Sequence, residues 1–327
     1  MLHPAQIGRY EVHEFLGGVS SHVYRAYDAV LHREVALKIL TAPANANPDL
    51  RDRFLQEIRI ATSLSHPNLI PIYDFGEDSG CPCIVMEFLR GELLREALRR
   101  EQVGDLKRRL SLARQIVSVV AYIHSKGIIH RDLKPDNLFL VTSGQLKLMD
   151  FGIAKMEGGT VIIHSGYLLG SPHYIAPEQV LGQRISYLAD IYAFGVILYE
   201  MVSGKRPIDG ETVEQILLRI LHEEVSFEPL LELGVPERIL LLIQRCMAKN
   251  PEERLQDWQV IDRELDQTLN WPIRPARKVP RARGLTAVPK RTFIERLLSH
   301  VRRKGDRLWY VPRSPRVSLC HTSEDKR

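Results

Sequence analysis

His130-Arg131-Asp132-Leu133-Lys134-Pro135-Asp136-Asn137 is the stretch on which the reading of this chain turns. Its eight residues hold a histidine, two cations, two carboxylates and an amide. Asn137 stands five positions past Asp132. Thirteen residues further on stands Asp150-Phe151-Gly152, then Ala176-Pro177-Glu178, and far upstream Val35-Ala36-Leu37-Lys38. A lone Asp-Phe-Gly arises by chance in many chains. Four such motifs in this order, with the eight-residue run intact, do not.

The patterning around these motifs divides the chain in two. Residues 10–16, 23–27 and 34–40 are β-rich, the first two flanking a Gly-Gly-Val-Ser-Ser turn. Asn47 and Pro48 signal a helix start, and Leu50, Phe54, Ile58, Ala61 and Leu64 follow at three- and four-residue steps until Pro67 stops the helix. Strand patterning resumes at 69–75 and 83–88, around a turn at 76–80. After Gly91 helical periodicity takes over, at 110–124, 186–203, 211–222, 236–248 and 255–269. Between these, 125–185 reads as short strands and loops.

The motif set resembles the Ser/Thr protein kinase family, in particular its bacterial eukaryotic-like type, over residues 10–268. The resemblance implies an α+β, bilobal protein-kinase fold. A small β-rich N-lobe with one helix would cover about 10–89, and a larger, mainly helical C-lobe about 90–268. It also implies an ATP-dependent enzyme that moves the γ-phosphate to protein Ser/Thr hydroxyls, autophosphorylates, and acts in signal transduction.

Phosphoryl transfer needs clamped phosphates, metal ions against the developing charge and an aligned hydroxyl. By the resemblance, Lys38 holds the α- and β-phosphates and pairs with Glu57 on the following helix. Asp132 is the base or hydroxyl orienter, and Lys134 neutralises the transferred phosphate. Asn137 and Asp150 bind Mg2+, with Mn2+ as an alternative, because such ions prefer hard oxygen ligands. Met86 is the gatekeeper of the adenine slot, the Glu87 carbonyl and Leu89 amide face the base, and Val23, Ala36 and Phe139 sandwich the ring. Glu178 pairs with Arg254, and Asp190 resembles the acid that anchors the catalytic loop's backbone; neither does chemistry.

Two departures stand out. The family's phosphate-covering loop reads G-x-G-x-x-G-x-V. Here either Leu16, Gly18 and Ser21 take the three glycine places, or one residue is missing and Gly17 is the first. Glycines matter there because backbone amides must come close to the phosphates. Ser171 replaces the usual threonine of Gly170-Ser171-Pro172, keeping a hydroxyl that can reach Asp132 and Lys134. The irregular loop is the one feature favouring a second reading, a nucleotide-binding pseudokinase scaffold. Retention of Lys38, Glu57, Asp132, Asn137 and Asp150 favours the enzyme.

Composition sets the wider limits. The chain has 327 residues, 44% of them hydrophobic, enough for two lobes with cores. Residues 271–327 hold 16 basic and 4 acidic residues, leaving 29 basic and 36 acidic in the body. That basic, proline-containing tail (269–327) carries Phe293, Leu297 and Val301 at helical steps within 290–304, an amphipathic stretch suited to the acidic body or to an anionic membrane surface. Without aromatic interleaving or a recognisable module, nucleic acid is not an expected partner. Four cysteines without metal-site spacing fit a reducing cytosol, and residues 1–8 show no signal-peptide pattern, so the expectation is cytoplasmic. Between Asp150 and Glu178, Thr160 and Ser165 are the expected autophosphorylation positions, with Tyr167 a further hydroxyl. Such phosphorylation in trans implies self-association.

Overall fold

The computed structural model describes residues 5–19, 21–150 and 171–270. Thr160, Ser165, Tyr167, the rest of 151–170, and the tail with its 290–304 stretch lie outside the described residues.

The first lobe is an antiparallel sheet ordered β1-β2-β3-β4-β6-β5, made of β1 (Gln6–Ile7), β2 (Tyr10–Gly17), β3 (Ser21–Asp28), β4 (Arg33–Leu40), β5 (Ile72–Asp78) and β6 (Cys81–Glu87). Alternation along β4 decides what each face does. Val35 and Leu37 turn into a core with Tyr10, Val12, Tyr24, Ala26 and Val85, while Ala36 faces the other way, against Ile70 and Met86. Lys38, two residues on, shares the Ala36 face.

A single-turn helix α1 (Ala42–Asn45) precedes α2 (Pro48–Thr62), so this lobe holds one more short helix than the periodicity shows. Asn47 caps α2, its Oδ1 accepting from the Asp49 and Leu50 amides, with proline at the first position. The helix ends before Pro67 because the Thr62 and Ser63 hydroxyls donate to the carbonyls of Ile58 and Ile60, satisfying its last turn. Phe54 and Ile58 pack on Leu40 and Ile84 of the sheet. The expected turn at 76–80 is shorter than its composition suggests. Ser79 and Gly80 have φ of +51° and +80°, the left-handed pair of a two-residue hairpin, so β5 runs on to Asp78.

The second lobe begins with β7 (Gly91–Leu93), α3 (Leu94–Arg99) and α4 (Leu106–Ser125). Asp105 caps α4 through the Arg108 amide, which starts the helix ahead of the apolar pattern. Two short strands, β8 (Leu138–Val141) and β9 (Leu146–Leu148), complete a β7-β8-β9 sheet. Then follow α5 (Pro177–Val180), α6 (Leu188–Ser203), α7 (Val213–His222), α8 (Glu228–Glu232), α9 (Glu237–Cys246) and α10 (Trp258–Asn270). Helix α6 is buried at every residue from Leu188 to Val202 and forms the lobe's axis. A Cβ on its Gly195 would stand 2.8 Å from both Cys246 Cβ and Met247 Cγ, so glycine is what lets the Cys246-Met247 segment close on it. The lobes join where β9 meets the 68–70 segment: the Ile70 amide donates to the Leu148 carbonyl at 3.0 Å, and the Leu148 amide to Asn68 at 2.8 Å. Among the described residues, no helix is long and apolar enough to cross a membrane.

Candidate active site

The run 130–137 spans the gap between α4 and β8, and its shape is imposed from below. Asp190, in the first turn of α6, accepts the backbone amides of His130 and Arg131, both at 2.8 Å. This pins Arg131 at φ +65°, a left-handed conformation that a residue with a Cβ seldom adopts unless its surroundings hold it there. Gln179 of α5 adds a bond to the Arg131 carbonyl at 3.1 Å. His130 is fully buried. Burial pushes its imidazole below the ordinary range, outweighing the upward pull of Asp190 and Asp132, so it is neutral and packs the run from inside.

The side chains that this backbone presents converge. Lys134 Nζ donates to Asp132 Oδ2 at 2.6 Å. Asn137, at the end of a 3₁₀ turn begun by Pro135, donates from Nδ2 to the Asp132 carbonyl at 2.8 Å and to Asp132 Oδ2 at 3.3 Å. With Nδ2 so engaged, Oδ1 is the amide atom left to meet a cation. The Met149 amide donates to the Asn137 carbonyl at 2.8 Å and brings the following residue, Asp150, alongside. Asp150 also has a left-handed φ, +32°. Across the cleft Lys38 Nζ reaches Asp150 Oδ1 at 2.7 Å. Desolvation is the largest single influence and raises the Asp150 pKa, but the charge and hydrogen bond of the Lys38 ammonium, with Lys134 beyond, together lower it, and the net direction is down. Glu57 lies on α2, and its side chain is outside what the structure describes.

Beside these groups is an apolar slot. Ala36, Ile70 and Met86 are its buried floor, with Val23, Ile72, Phe88, Leu89 and Met149 packed against them. Phe139 stands on β8, half-buried, opposite Leu93 and Lys147. Leu89 lies outside any strand, and its amide has no backbone acceptor among the described residues, which leaves a donor at the slot's edge. Glu87 closes β6; its amide donates to the Pro71 carbonyl at 3.0 Å and its Oε2 lies 3.4 Å from Lys147 Nζ, a tie between the lobes.

The turn between β2 and β3 is short. Gly17 pairs with Val23 and has φ +136°. Gly18 has φ +116°, and a Cβ there would stand 1.8 Å from the Ser21 carbonyl oxygen, so no other residue fits. Leu16 is exposed and Val19, at the tip, is 92% exposed.

Residues 10–265 match the protein kinase domain profile. The chain belongs to the protein kinase family. It is 39% identical over 251 residues to the serine/threonine-protein kinase PrkC of Bacillus subtilis, which covers 76% of this chain and 39% of that protein. To the serine/threonine-protein kinase PknA of Mycobacterium tuberculosis it is 34% identical over 253 residues, 76% of this chain and 58% of that protein. The chain thus spans from about two fifths to under three fifths of these relatives' length. Among solved structures it resembles the crystal structure of Rad53 1-466 in complex with AMP-PNP, with a TM-score of 0.65 at 26% identity, over 80% of this chain and 65% of that one. The α+β bilobal fold and the bacterial eukaryotic-like Ser/Thr kinase branch both follow from these likenesses.

Within the kinase fold, Glu178 and Arg254 form a buried two-pronged pair, both contacts at 2.7 Å. Ser171 departs from expectation. Its hydroxyl is hydrogen-bonded with His173 Nδ1 at 2.7 Å, and His173 Nε2 lies 2.9 Å from Asp209 and 3.1 Å from Arg206, so the hydroxyl's partner is His173 rather than Asp132 or Lys134. Sequence reasoning missed Ile70, Ile72 and Met149 in the slot, because an apolar residue in a strand looks the same whether it lines a slot or a core. Lys147 did carry a signal: a lysine between Leu146 and Leu148 in a buried strand needs a partner.

Proposed function

We propose that this chain transfers the γ-phosphoryl group of ATP to Ser or Thr hydroxyls of proteins. The supporting observation is two directly bonded sets, Lys38–Asp150 and Lys134–Asp132–Asn137, brought together by the Met149 amide on the Asn137 carbonyl. Asp132 orients the acceptor hydroxyl and takes its proton at Oδ1 or Oδ2. Lys134, bonded to the same carboxylate, meets charge on the moving phosphoryl group. Lys38, now on Asp150, turns to the α- and β-phosphates when nucleotide enters, and the slot around Ala36 and Met86 takes the adenine.

The donor set fits a magnesium ion held partly by the nucleotide. Among the described residues no cluster of three or more His, Cys, Asp or Glu could cage a metal, whereas Asp150 and the free Asn137 Oδ1 offer two hard oxygens, and Mg2+ is commonly held by one or two carboxylates plus phosphates. Bound there, the ion would offset the negative charge that gathers on the phosphates. Mn2+ suits the same oxygens.

The reading extends to autophosphorylation at Thr160 or Ser165 in a self-associated pair, a phosphate there pairing with Arg131. It also extends to cytoplasmic signalling, and to contact of the basic tail with the acidic body ahead of an anionic membrane surface. The deciding experiment compares wild type with Asp132→Asn for phosphate transfer from ATP to a generic basic protein and to the chain itself. Transfer by wild type and loss of it by orders of magnitude in the variant is the expected outcome. Equal incorporation by both would sink the enzyme reading and leave the nucleotide-binding scaffold, and mass spectrometry of the same samples locates any modified residue.

A further inference from the structure

Helix α10 opens with Trp258, whose indole Nε1–H donates to His124 Nδ1 at 2.8 Å. An indole nitrogen only donates, so Nδ1 is the acceptor and neutral His124 carries its proton on Nε2. That Nε2 lies 2.7 Å from Asp190 Oδ2 and donates to it. Asp190 is the carboxylate that holds the His130 and Arg131 amides. Four bonds at 2.7 to 2.8 Å therefore run from the start of the last described helix, through the end of α4 and the start of α6, to the residue next to Asp132.

We propose that Trp258 is a positioning residue for the catalytic run, acting through the tautomer of His124 on Asp190. Without the indole donor, His124 is free to move its proton to Nδ1. Its bare Nε2 would then face a carboxylate oxygen, and Asp190 would lose one of three donors. The backbone at Arg131 is the element that feels this, because its left-handed φ is held only by its surroundings. A small rotation there carries the Asp132 carboxylate away from the acceptor hydroxyl, and misalignment costs rate more than binding. Trp258 also packs edge-on against Phe194 at 5.6 Å, a contact that phenylalanine retains in large part.

The proposal rests on the phosphotransfer reading, and the test separates the two. In the full-length chain, Trp258→Phe is expected to lower kcat about threefold to tenfold, the scale of one hydrogen bond. KM for ATP and for the acceptor protein should stay within about twofold, and the thermal midpoint should stay well above assay temperature. His124→Gln keeps an acceptor and a donor and should retain more activity than His124→Leu, which keeps neither. In the His124→Leu background, Trp258→Phe should cost nothing further. The Trp258 indole N–H resonance, one of three tryptophans in the chain and identified by its loss in Trp258→Phe, should shift in His124→Leu. An unchanged kcat in Trp258→Phe, a fall in kcat matched by rising KM, or additive losses in the double variant would overturn the proposal. If His124→Leu does not fold, the kcat and KM of Trp258→Phe decide alone. A wild-type chain that transfers no phosphate defeats the phosphotransfer reading itself, whereas an active wild type with an unaffected Trp258→Phe defeats only this one.

Discussion

Around Asp132 the chain is held from several directions at once: Asp190 fixes the backbone before it, Lys134 and Asn137 fix its carboxylate, and buried His130 fills the space beneath. The Gly17-Gly18 turn, which would cover the phosphates from the other side of the cleft, ends one hairpin and has an exposed tip. The difference follows from the two tasks. A group that takes a proton must be placed to within a fraction of an ångström before substrate arrives, and that requires many bonds. A cover for phosphates must let nucleotide in and out, and contributes backbone amides whose geometry glycine alone supplies. Rigidity therefore lies with the second lobe, and permissive backbone with the first.

The largest effect that this comparison predicts is at the point where the two sides meet. Lys38→Met removes the charge that bridges to Asp150 and should lower phosphate transfer about 100- to 1,000-fold, the scale of losing one preorganised electrostatic contact. Asp150 is half-exposed and water can solvate it once unpaired, so the thermal midpoint should move little. A variant that unfolds early instead would show that Lys38 serves packing. A variant that keeps full activity would show that another lysine takes its place.

A middle-sized effect tests the permissive side. Gly18→Ala forces the turn open, because the new Cβ would overlap the Ser21 carbonyl. Rearranging such a backbone costs roughly 1–3 kcal/mol, and the loop is the part of the molecule that bears it. The expected result is a KM for ATP raised on the order of tenfold, with kcat at saturating ATP and the unfolding midpoint nearly unchanged. If kcat falls as far as it does in Lys38→Met, the turn is as exacting as the catalytic run and the contrast fails.

What could be read from the sequence follows the same division. The run 130–137, Asp150 and Lys38 were legible as motifs of fixed residue type and spacing, which a linear string records, and the Glu178–Arg254 pair only by likeness to the family. The tie of Asp190 to the run was legible by likeness, but its continuation to Trp258 was not, since 134 residues separate that indole from His124 and nothing local marks the pairing. Lys147 signalled that it needs a partner, but that the partner is Glu87 was hidden for the same reason. Helices α1, α3 and α8 are too short to show a period, and the Gly76-Glu77-Asp78 part of β5 looks like a loop because it sits on an exposed sheet edge. Ser171 shows the limit of analogy: the hydroxyl is where the motif predicts, yet a histidine two residues on takes its bond.

The smallest predicted effect is on pH, and it belongs to the rigid side. His130 and His173 are both buried, and in each burial is the main cause that lowers the imidazole pKa; for His173 the bond to Asp209 opposes it without reversing it. A histidine whose folded pKa lies below its unfolded value binds fewer protons when folded. Its contribution to stability is therefore complete above the unfolded value of about 6.5 and is lost as pH falls from there toward the lowered folded value. Each such group can add at most about 1.4 kcal/mol per pH unit to the slope. Urea unfolding midpoints should hold steady from pH 8 to 7 and then decline toward pH 5.5. His173→Gln, which keeps a polar amide between Ser171 and Asp209 but cannot titrate, should remove part of that decline. Between pH 8 and 7 it should only displace the curve. A wild-type midpoint that is flat down to pH 5.5, or a slope that His173→Gln leaves untouched, would show that these rings are hydrated in solution, and that the ground beneath the catalytic run is softer than its hydrogen bonds imply.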